Sequence, residues 1–444
     1  MTLHDLIAGT DATTRRAFAS NCAFTCLGVG LSPLLLRLGA AAGVQGQQGQ
    51  GKTVEEPIKL GPASARNVIY LFLRGGMSQL DTFDPKPGQK TQGPVEALRT
   101  NADDVLVSQH FPNLANHMDK VCVVNSMTST QGAHPQAQYL TRTSFELRGT
   151  IQHPSIGAWV NRLAGKLNAN LPGHVMLNGG SNIPSAGFFP PQYLALPLDD
   201  PKAGLQHSAL PADVGEAEFQ RRLQRLQQLD QAFEQRYRQR EVKAYSEMYA
   251  DAVRLMRSSD LAAFDIGLEP GLLRSAYGES NFGQGCLLAR RLVEHGVRFV
   301  EVMSDGWDTH ADNFDRMAEN CPDIDRGLSA LLADLEARGL LEQTLVVLTT
   351  EFGRTPDIDG DNGRNHYPKA YSSLLAGGGI RGGSSWGKTS SDGREVIENP
   401  VRIQDFNATI AHALGLPLDH VVTSPSGRPF KVADKGQPLL DLFA

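Results

Sequence analysis

The sequence predicts an α/β fold: a doubly wound, mainly parallel sheet with helices on both faces, plus an inserted helical hairpin or cap. Three observations predict it. Short apolar, β-branched runs recur along the chain, helical patterns lie between many of them, and one long charged segment breaks the alternation. The runs are "NVIYLFL" (67–73), "KVCVVNSM" (120–127), "HVMLNG" (174–179), "VRFVEVM" (297–303), "TLVVLTT" (344–350) and "AYSSLLAG" (370–377). The helical patterns include "GQGCLLARRLVEHG" (283–296) and "IDRGLSALLADLEARGL" (324–340), the latter with Leu328, Leu331, Leu332 and Leu335 on one face. In such sheets ligands bind beyond the carboxyl ends of the strands, so the residues after each run are where chemistry is expected.

Composition sets the frame. The 444 residues are 41% hydrophobic and 20% charged, an ordinary globular balance with enough chain for a large core. The net charge of −6 argues against a general nucleic-acid binder, which needs a basic face. Gly (45) and Pro (25) are plentiful, consistent with many loops on a regular scaffold.

Taken in order, residues 1–43 read as an export signal. "TTRRAFASNCAFTCLGVGLSPLLLRLGAAAG" places Arg15, Arg16 and Phe18 before an apolar stretch too short for a confident membrane span, with "GAAAG" where a peptidase would cut. The T-R-R-x-F pattern resembles a twin-arginine leader, which implies a periplasmic or extracellular protein exported already folded. A polar Gln/Gly-rich linker follows (44–60), and 61–444 form the α/β domain. Of five cysteines, Cys22 and Cys26 lie in the leader; Cys122, Cys286 and Cys321 read as buried thiols with at most one disulfide. No later segment approaches a transmembrane span. The helical insertion covers about 212–260, with Phe219, Leu223, Leu226, Leu229 and Phe233 near helical spacing.

Four strand ends carry chemistry. After the first run, Gly75 and Gly76 permit a sharp turn or a close approach, and Ser78, Asp81, Asp84 and Lys86 follow. Asp84, beside Pro85, reads as a turn residue. After the second run, "STQGAHPQ" offers Ser129, Thr130 and His134. After the fourth, "SDGWDTHADNF" puts Asp308 and His310 two apart, on one side if the backbone is extended. Asp305 is a reserve candidate there, Asp312 a helix cap and Trp307 a packing residue. After the fifth, "TTEFGRTPDIDGDNGRNHYP" supplies Glu351, Arg354, Arg364 and His366. Carboxylates and imidazoles converging from several strand ends suit a divalent ion (Zn²⁺, Mn²⁺, Mg²⁺ or Ca²⁺), and two arginines suit capture of a phosphate, sulfate or carboxylate. The "DIDGDNG" stretch lacks EF-hand spacing and reads as a loop.

These motifs in this order, "LFLRGGMSQLDTFDPKP", "HPSIGAWV", "WDTHADNF", "TEFGRTP", "GRNHYP", "GGGIRGG" and "DFNATIAHALGL", resemble an exported bacterial family known as domain of unknown function 1501. The resemblance covers about Asn67 to Leu416. That family is similar to the alkaline phosphatase and sulfatase superfamily, whose members cleave phosphate or sulfate esters with one or two divalent metals at strand ends. The resemblance implies an alkaline phosphatase-like fold, with "DGWDTH" and His366 standing at metal-binding segments and Glu351 at the Asp of "T-x-D-H-G". It implies a nucleophile before the helix after the second strand, where Ser129, Thr130 and His134 stand. This chain departs in having Gly75-Gly76 where the superfamily has an Asp, leaving Asp81 as a nearby substitute, and in having Phe352 where it has a ligating His. The sequence therefore supports two readings. One is an exported metal-dependent hydrolase of sulfate or phosphate esters. Its metal ligands are Asp308, His310, Glu351, His366 and Asp81, its clamp Arg354 or Arg364, and its catalytic candidates Thr130, Ser129 and His134. The other is a non-catalytic exported protein on the same scaffold, binding an anionic ligand or a protein partner.

Overall fold

A computed structural model describes residues 58–180, 184–210, 213–237 and 249–444; the expected leader and nearly all of the expected linker lie outside the described residues. Residues 58–204 and 262–444 form one compact unit, and 205–261 belong to a second. In the second unit a charged helix spans Glu216–Tyr237, and residues 249–256 are again helical. The turn that the expected hairpin needs lies outside the described residues. Among those described, no helix is long and apolar enough to cross a membrane.

The main unit is built on a nine-stranded sheet. In chain order its strands are β1 (Asn67–Leu73), β2 (Val121–Thr128), β3 (His174–Leu177), β4 (Leu196–Leu198), β5 (Phe299–Ser304), β6 (Thr344–Thr349), β7 (Tyr371–Ala376), β8 (Ser384–Trp386) and β9 (Val401–Arg402). The spatial order is β8-β2-β7-β6-β1-β5-β3-β4, with β9 also paired to β2. Every pairing is parallel except those of β7, which runs antiparallel to both β2 and β6. The fold class expected from the sequence is therefore the one observed.

Alternation explains how the sheet is covered. Val68, Tyr70 and Phe72 of β1 belong to a core cluster with Ile156, Trp159 and Val160 of helix α1 (Ile156–Ala164) and Phe406, Ile410 and Ala411 of helix α2 (Ile403–Ala413). Ile69, Leu71 and Leu73 point the other way, where helix α3 (Asn281–Glu294) packs on β5 and β1 and helix α4 (Asn313–Ala337) packs on α3. A strand buried on both faces must be apolar throughout, and all seven residues of β1 are buried. Each fully buried aliphatic or aromatic side chain contributes about 1.5–3 kcal/mol, so this strand anchors the sheet.

The expected strands match within a few residues. β4, β8 and β9 were not expected, since two or three residues are too few for a hydrophobic pattern. Asp312 does precede α4, but with φ of 51° and no side-chain hydrogen bond to the helix; the expected cap is replaced by backbone bonds to the 361–362 segment. Cys122, Cys286 and Cys321 are buried free thiols.

Candidate metal centre

Because β1, β2, β5 and β6 all point the same way, their carboxyl ends share one edge of the sheet. The loops leaving that edge are locked together by close backbone approach. A Cβ on Gly75 (φ +128°) would sit 2.4 Å from the amide nitrogen of Asp308, and one on Gly76 (φ +85°) 2.6 Å from the Phe352 ring. No other residue fits either place, so the Gly-Gly pair lets the loop after β1 lie against those after β5 and β6.

Beyond β5 the backbone alternates. Trp307 and Thr309 are buried, while Asp308 and His310 face outward on the same side. Trp307 packs inward and its Nε1–H reaches Ser304, and the Thr309 hydroxyl donates to Asn313 at 2.7 Å. Beyond β6 the chain runs out through a two-stranded ribbon, Gly353–Arg354 against His366–Tyr367, which carries His366 to the same place. Beyond β2, His134 opens helix α5 (His134–Thr143).

The three imidazoles are oriented alike. The Nδ1 atoms of His310, His366 and His134 sit 2.9, 2.7 and 2.9 Å from the Asn365 side-chain oxygen, the Gly132 carbonyl and the Glu351 carboxylate. All three partners are acceptors; the Asn365 orientation follows from its amide group donating to Asp359. Each Nδ1 therefore carries a proton, and a ring without a second proton presents a lone pair at Nε2. Those lone pairs gather around Asp308. His310 Nε2 and His366 Nε2 are 3.0 Å apart, and lie 3.2 and 3.4 Å from Asp308 Oδ1. His134 Nε2 is 3.3 Å from Asp308 Oδ2, and though buried it has no hydrogen-bond partner. Ligand atoms of His134, Asp308 and His366 all lie within 4.8 Å of one another.

Two lone pairs facing each other across 3.0 Å beside a carboxylate repel unless a cation sits among them. A tetrahedral zinc with bonds of about 2.0–2.1 Å spaces its ligands by roughly 3.3 Å, and an octahedral ion at similar bond lengths by about 2.9 Å. The triangle of Asp308, His310 and His366 falls in that range, so the residues present fit a divalent ion. The outer partners of the rings follow the pattern of metal-bound histidines, whose second nitrogen is held by a carbonyl, amide or carboxylate.

Electrostatics agree with the geometry. Partial burial pushes the Asp308 carboxyl up, but the Arg354 guanidinium, 2.6 Å away, together with His134 and His310 outweighs it and holds the group at about 2. The hydrogen bond to Glu351 outweighs burial and raises the His134 pKa, while burial lowers that of His366. Phe352, fully buried, lies against the rings of His134 and His366 with centroids 5.0 and 4.5 Å away, an apolar floor beneath the polar cluster.

Several expected site residues take other places. Glu351 is not at the triangle. Its buried carboxylate accepts from the Gly75 amide at 2.9 Å, from His134 and from Gln138 at 3.2 Å, so it orients His134 from behind. Asp81 is fully buried and pairs with Arg364 at 2.8 Å, with Ser78 and Asn313 also donating to it. Arg364 spends its remaining donors on the carbonyls of Thr91, Thr355 and Pro356. Arg354 bonds the carbonyls of Gly75, Gly76, Trp307 and Arg364 as well as Asp308. Neither arginine has a guanidinium left to clamp a substrate; burial has turned both into cross-braces. Ser129 exchanges hydrogen bonds with its own loop at Gln131, and Thr130 is exposed and meets the Gln131 side chain. Asp305 is bound bidentately by Arg74 at 2.5 Å. Sequence reasoning missed Asn365 and Gln138. Their signals were local: Asn365 is next to His366, and Gln138 is one helical turn beyond His134.

No curated protein sequence matches the chain. Solved structures similar to it include the lipoteichoic acid synthase LtaP from Listeria monocytogenes, at 11% identity over 86% of this chain and 78% of that one, TM-score 0.35. They include a phosphonate monoester hydrolase from Silicibacter pomeroyi, at 12% identity over 85% and 76%, TM-score 0.40. A third is the alkaline phosphatase of the Antarctic bacterium TAB5, at 11% identity over 74% and 96%, TM-score 0.31. The family model described as "Protein of unknown function (DUF1501)" matches residues 65–443, essentially the whole described α/β unit, and the chain belongs to that family.

Proposed function

We propose that the protein is an exported, metal-dependent hydrolase of phosphate or sulfate esters, carried out of the cytoplasm by the twin-arginine leader. The observation that carries this reading is the set of imidazole lone pairs turned onto Asp308, with every Nδ1 already tied to an acceptor. Asp308, His310 and His366 would hold the ion, with His134 beside it. A divalent ion there supplies Lewis acidity, drawing electron density from an ester oxygen and offsetting negative charge as it develops. Asn365 and the Gly132 carbonyl keep the protons of His310 and His366 on Nδ1. Arg354 holds Asp308 ionised and in place. Phe352 closes the site from below against water.

The competing reading, a non-catalytic exported protein that binds an anionic ligand or a partner, draws on one observation. Both arginines expected to grip an oxyanion are committed to protein acceptors, and neither loop hydroxyl has a base beside it. Metal analysis of the purified protein with a screen of aryl sulfates and of phosphate mono- and diesters separates the two. Stoichiometric metal with turnover abolished by His310→Ala is the expected result. Metal-free protein inert to every ester would falsify the hydrolase, and metal-loaded protein inert to every ester would favour the binder.

A further inference from the structure

We propose that the hairpin at 388–398 is a clasp on the metal centre. Tyr367, held by the tip of that hairpin, positions His366, so that closing the clasp and binding the ion favour each other. The proposal rests on the metal-binding part of the hydrolase reading and adds to it a positioning residue that supplies no ligand atom.

His366 reaches the cluster on the ribbon of Gly353–Arg354 and His366–Tyr367, only two residues to a strand. A ribbon that short is not stable by itself in water, so other contacts must fix it. Its first arm is secured from within. Arg354 bonds the carbonyls of Gly75 and Gly76 with its guanidinium and exchanges two backbone hydrogen bonds with the Gln79 side chain. The second arm carries the proposed ligand and is held from outside. Successive side chains of a strand point to opposite sides, so His366 faces Asp308 while Tyr367 faces away from it. There the Tyr367 hydroxyl donates to the Arg394 carbonyl at 2.5 Å.

Arg394 stands in the tip of the hairpin formed by Lys388–Thr389 and Val396–Glu398. The tip is tightly made. Ser390 Oγ accepts from the Arg394 and Glu395 amides at 3.0 and 3.1 Å, and the Ser390 amide donates to the Glu395 carbonyl at 2.7 Å. Its footing is separate from the ribbon. A Cβ on Gly393 would meet Leu80 at 2.6 Å, and the Thr389 hydroxyl donates to the buried Asp84. The hairpin therefore stands on the loop after β1, against which the metal centre is also built. From that footing Arg394 also grips both carboxylate oxygens of Asp357, three residues beyond Arg354. One residue thus holds both arms, the second by its carbonyl and the first by its guanidinium.

With the clasp closed, His366 Nε2 lies 3.0 Å from His310 Nε2 and 3.4 Å from Asp308 Oδ1. With it open, the second arm loses its outer support and the ligand its fixed place. An ion that needs His366 binds the closed form more tightly, and by linkage it holds the hairpin shut by the same factor.

The test uses the purified protein freed of metal. Calorimetric titration with Zn²⁺ and Mn²⁺ reads the affinity. Hydrogen exchange of the 388–398 amides, with and without saturating ion, reads the clasp. Tyr367→Phe deletes one hydroxyl and should weaken binding at least threefold, within the range that one net hydrogen bond supplies. In the wild type, the ion should slow exchange across 388–398 at least threefold, and the slowing should shrink in Tyr367→Phe. The exchange measurement on the wild type needs no substitution, and it separates a clasp from a brace that only supports the fold. A second small ribbon, Val422–Thr423 with Pro429–Phe430, packs through Phe430 on Phe145, His153 and Phe188 and serves as the control. Its exchange should be the same with and without the ion. A loss under threefold in Tyr367→Phe, or equal slowing in the hairpin and the control, overturns the clasp and leaves the metal centre standing. A wild type that binds neither ion overturns both.

Discussion

Asn365→Ala is the substitution that isolates the argument for the metal centre, because it removes no proposed ligand. The only contact Asn365 makes with the cluster is the 2.9 Å hydrogen bond that its side-chain oxygen accepts from His310 Nδ1. Without it the proton can move to Nε2, and the ring must give up its lone pair or turn. A neutral hydrogen bond is worth about 0.5–1.5 kcal/mol net, and 1.4 kcal/mol is a factor of ten in affinity. Outer partners of metal-bound histidines typically contribute 10–100-fold. Since Asn365 is exposed, the expected loss in Zn²⁺ or Mn²⁺ affinity is about tenfold, at the lower end of that range. Folding should be unaffected, within about 0.5 kcal/mol, as the residue's backbone amide still donates to Thr355 at 2.9 Å. Titration calorimetry of the metal-free protein at fixed pH measures the affinity, and chemical unfolding the stability. Asn365→Asp keeps the acceptor and should bind at least as tightly as wild type. Binding within twofold of wild type in the alanine variant, or equal losses in both variants, would refute the tautomer reasoning.

Two further outcomes test the scaffold around the site. Arg364→Met leaves Asp81 buried without its cation and should cost about 3–5 kcal/mol in urea unfolding, where an oxyanion clamp would leave stability unchanged. His174 is fully buried and its pKa is lowered by burial, and then by Arg142, from 6.5 to about 3. Protons therefore bind the unfolded chain first. The stabilisation is complete above pH 6.5 and is lost as pH falls from there towards 3, by up to about 1.4 kcal/mol per pH unit. His174→Gln should flatten the fall in unfolding free energy between pH 7 and 5, and an unchanged slope would show that another group sets it.

What the sequence revealed and what it hid divide along one physical line. Strands buried on both faces announce themselves as apolar runs, so β1 and β6 were read almost residue for residue. The direction of a strand leaves no such mark, and the reversed β7 is buried throughout, as its neighbour β6 is. At the site, Asp308, His310 and His366 were legible because ligand-type side chains are uncommon just past a strand end. Arg354, Arg364 and Asp81 were read as functional groups because their partners lie far off in sequence. Asp81 and Arg364 are 283 positions apart, and no local pattern says that one neutralises the other. The same distance hid the relation of Glu351 to His134, 217 positions before it. Type and spacing select candidates, but whether an arginine faces solvent or a buried carbonyl is a property of the packing.

The reversal of β7 has a consequence for how the site can change over evolution. Because β6 and β7 are neighbours of opposite direction, everything between them, from Thr350 to Ala370, is a single excursion that leaves and re-enters the sheet at the same place. Its base is pinned by the Gly353–Arg354 and His366–Tyr367 ribbon, below the turn at 357–363. Doubling the length of a loop so anchored adds only about 0.6 kcal/mol in closure entropy. The exposed tip at Gly360 is thus open to insertion, while Asp359, which accepts from Asn365, and the 361–362 carbonyls, which receive the amides that open α4, stay tied to the site. Variation in loop length among relatives would then concentrate at that tip, the one free edge of a rim that otherwise braces the centre.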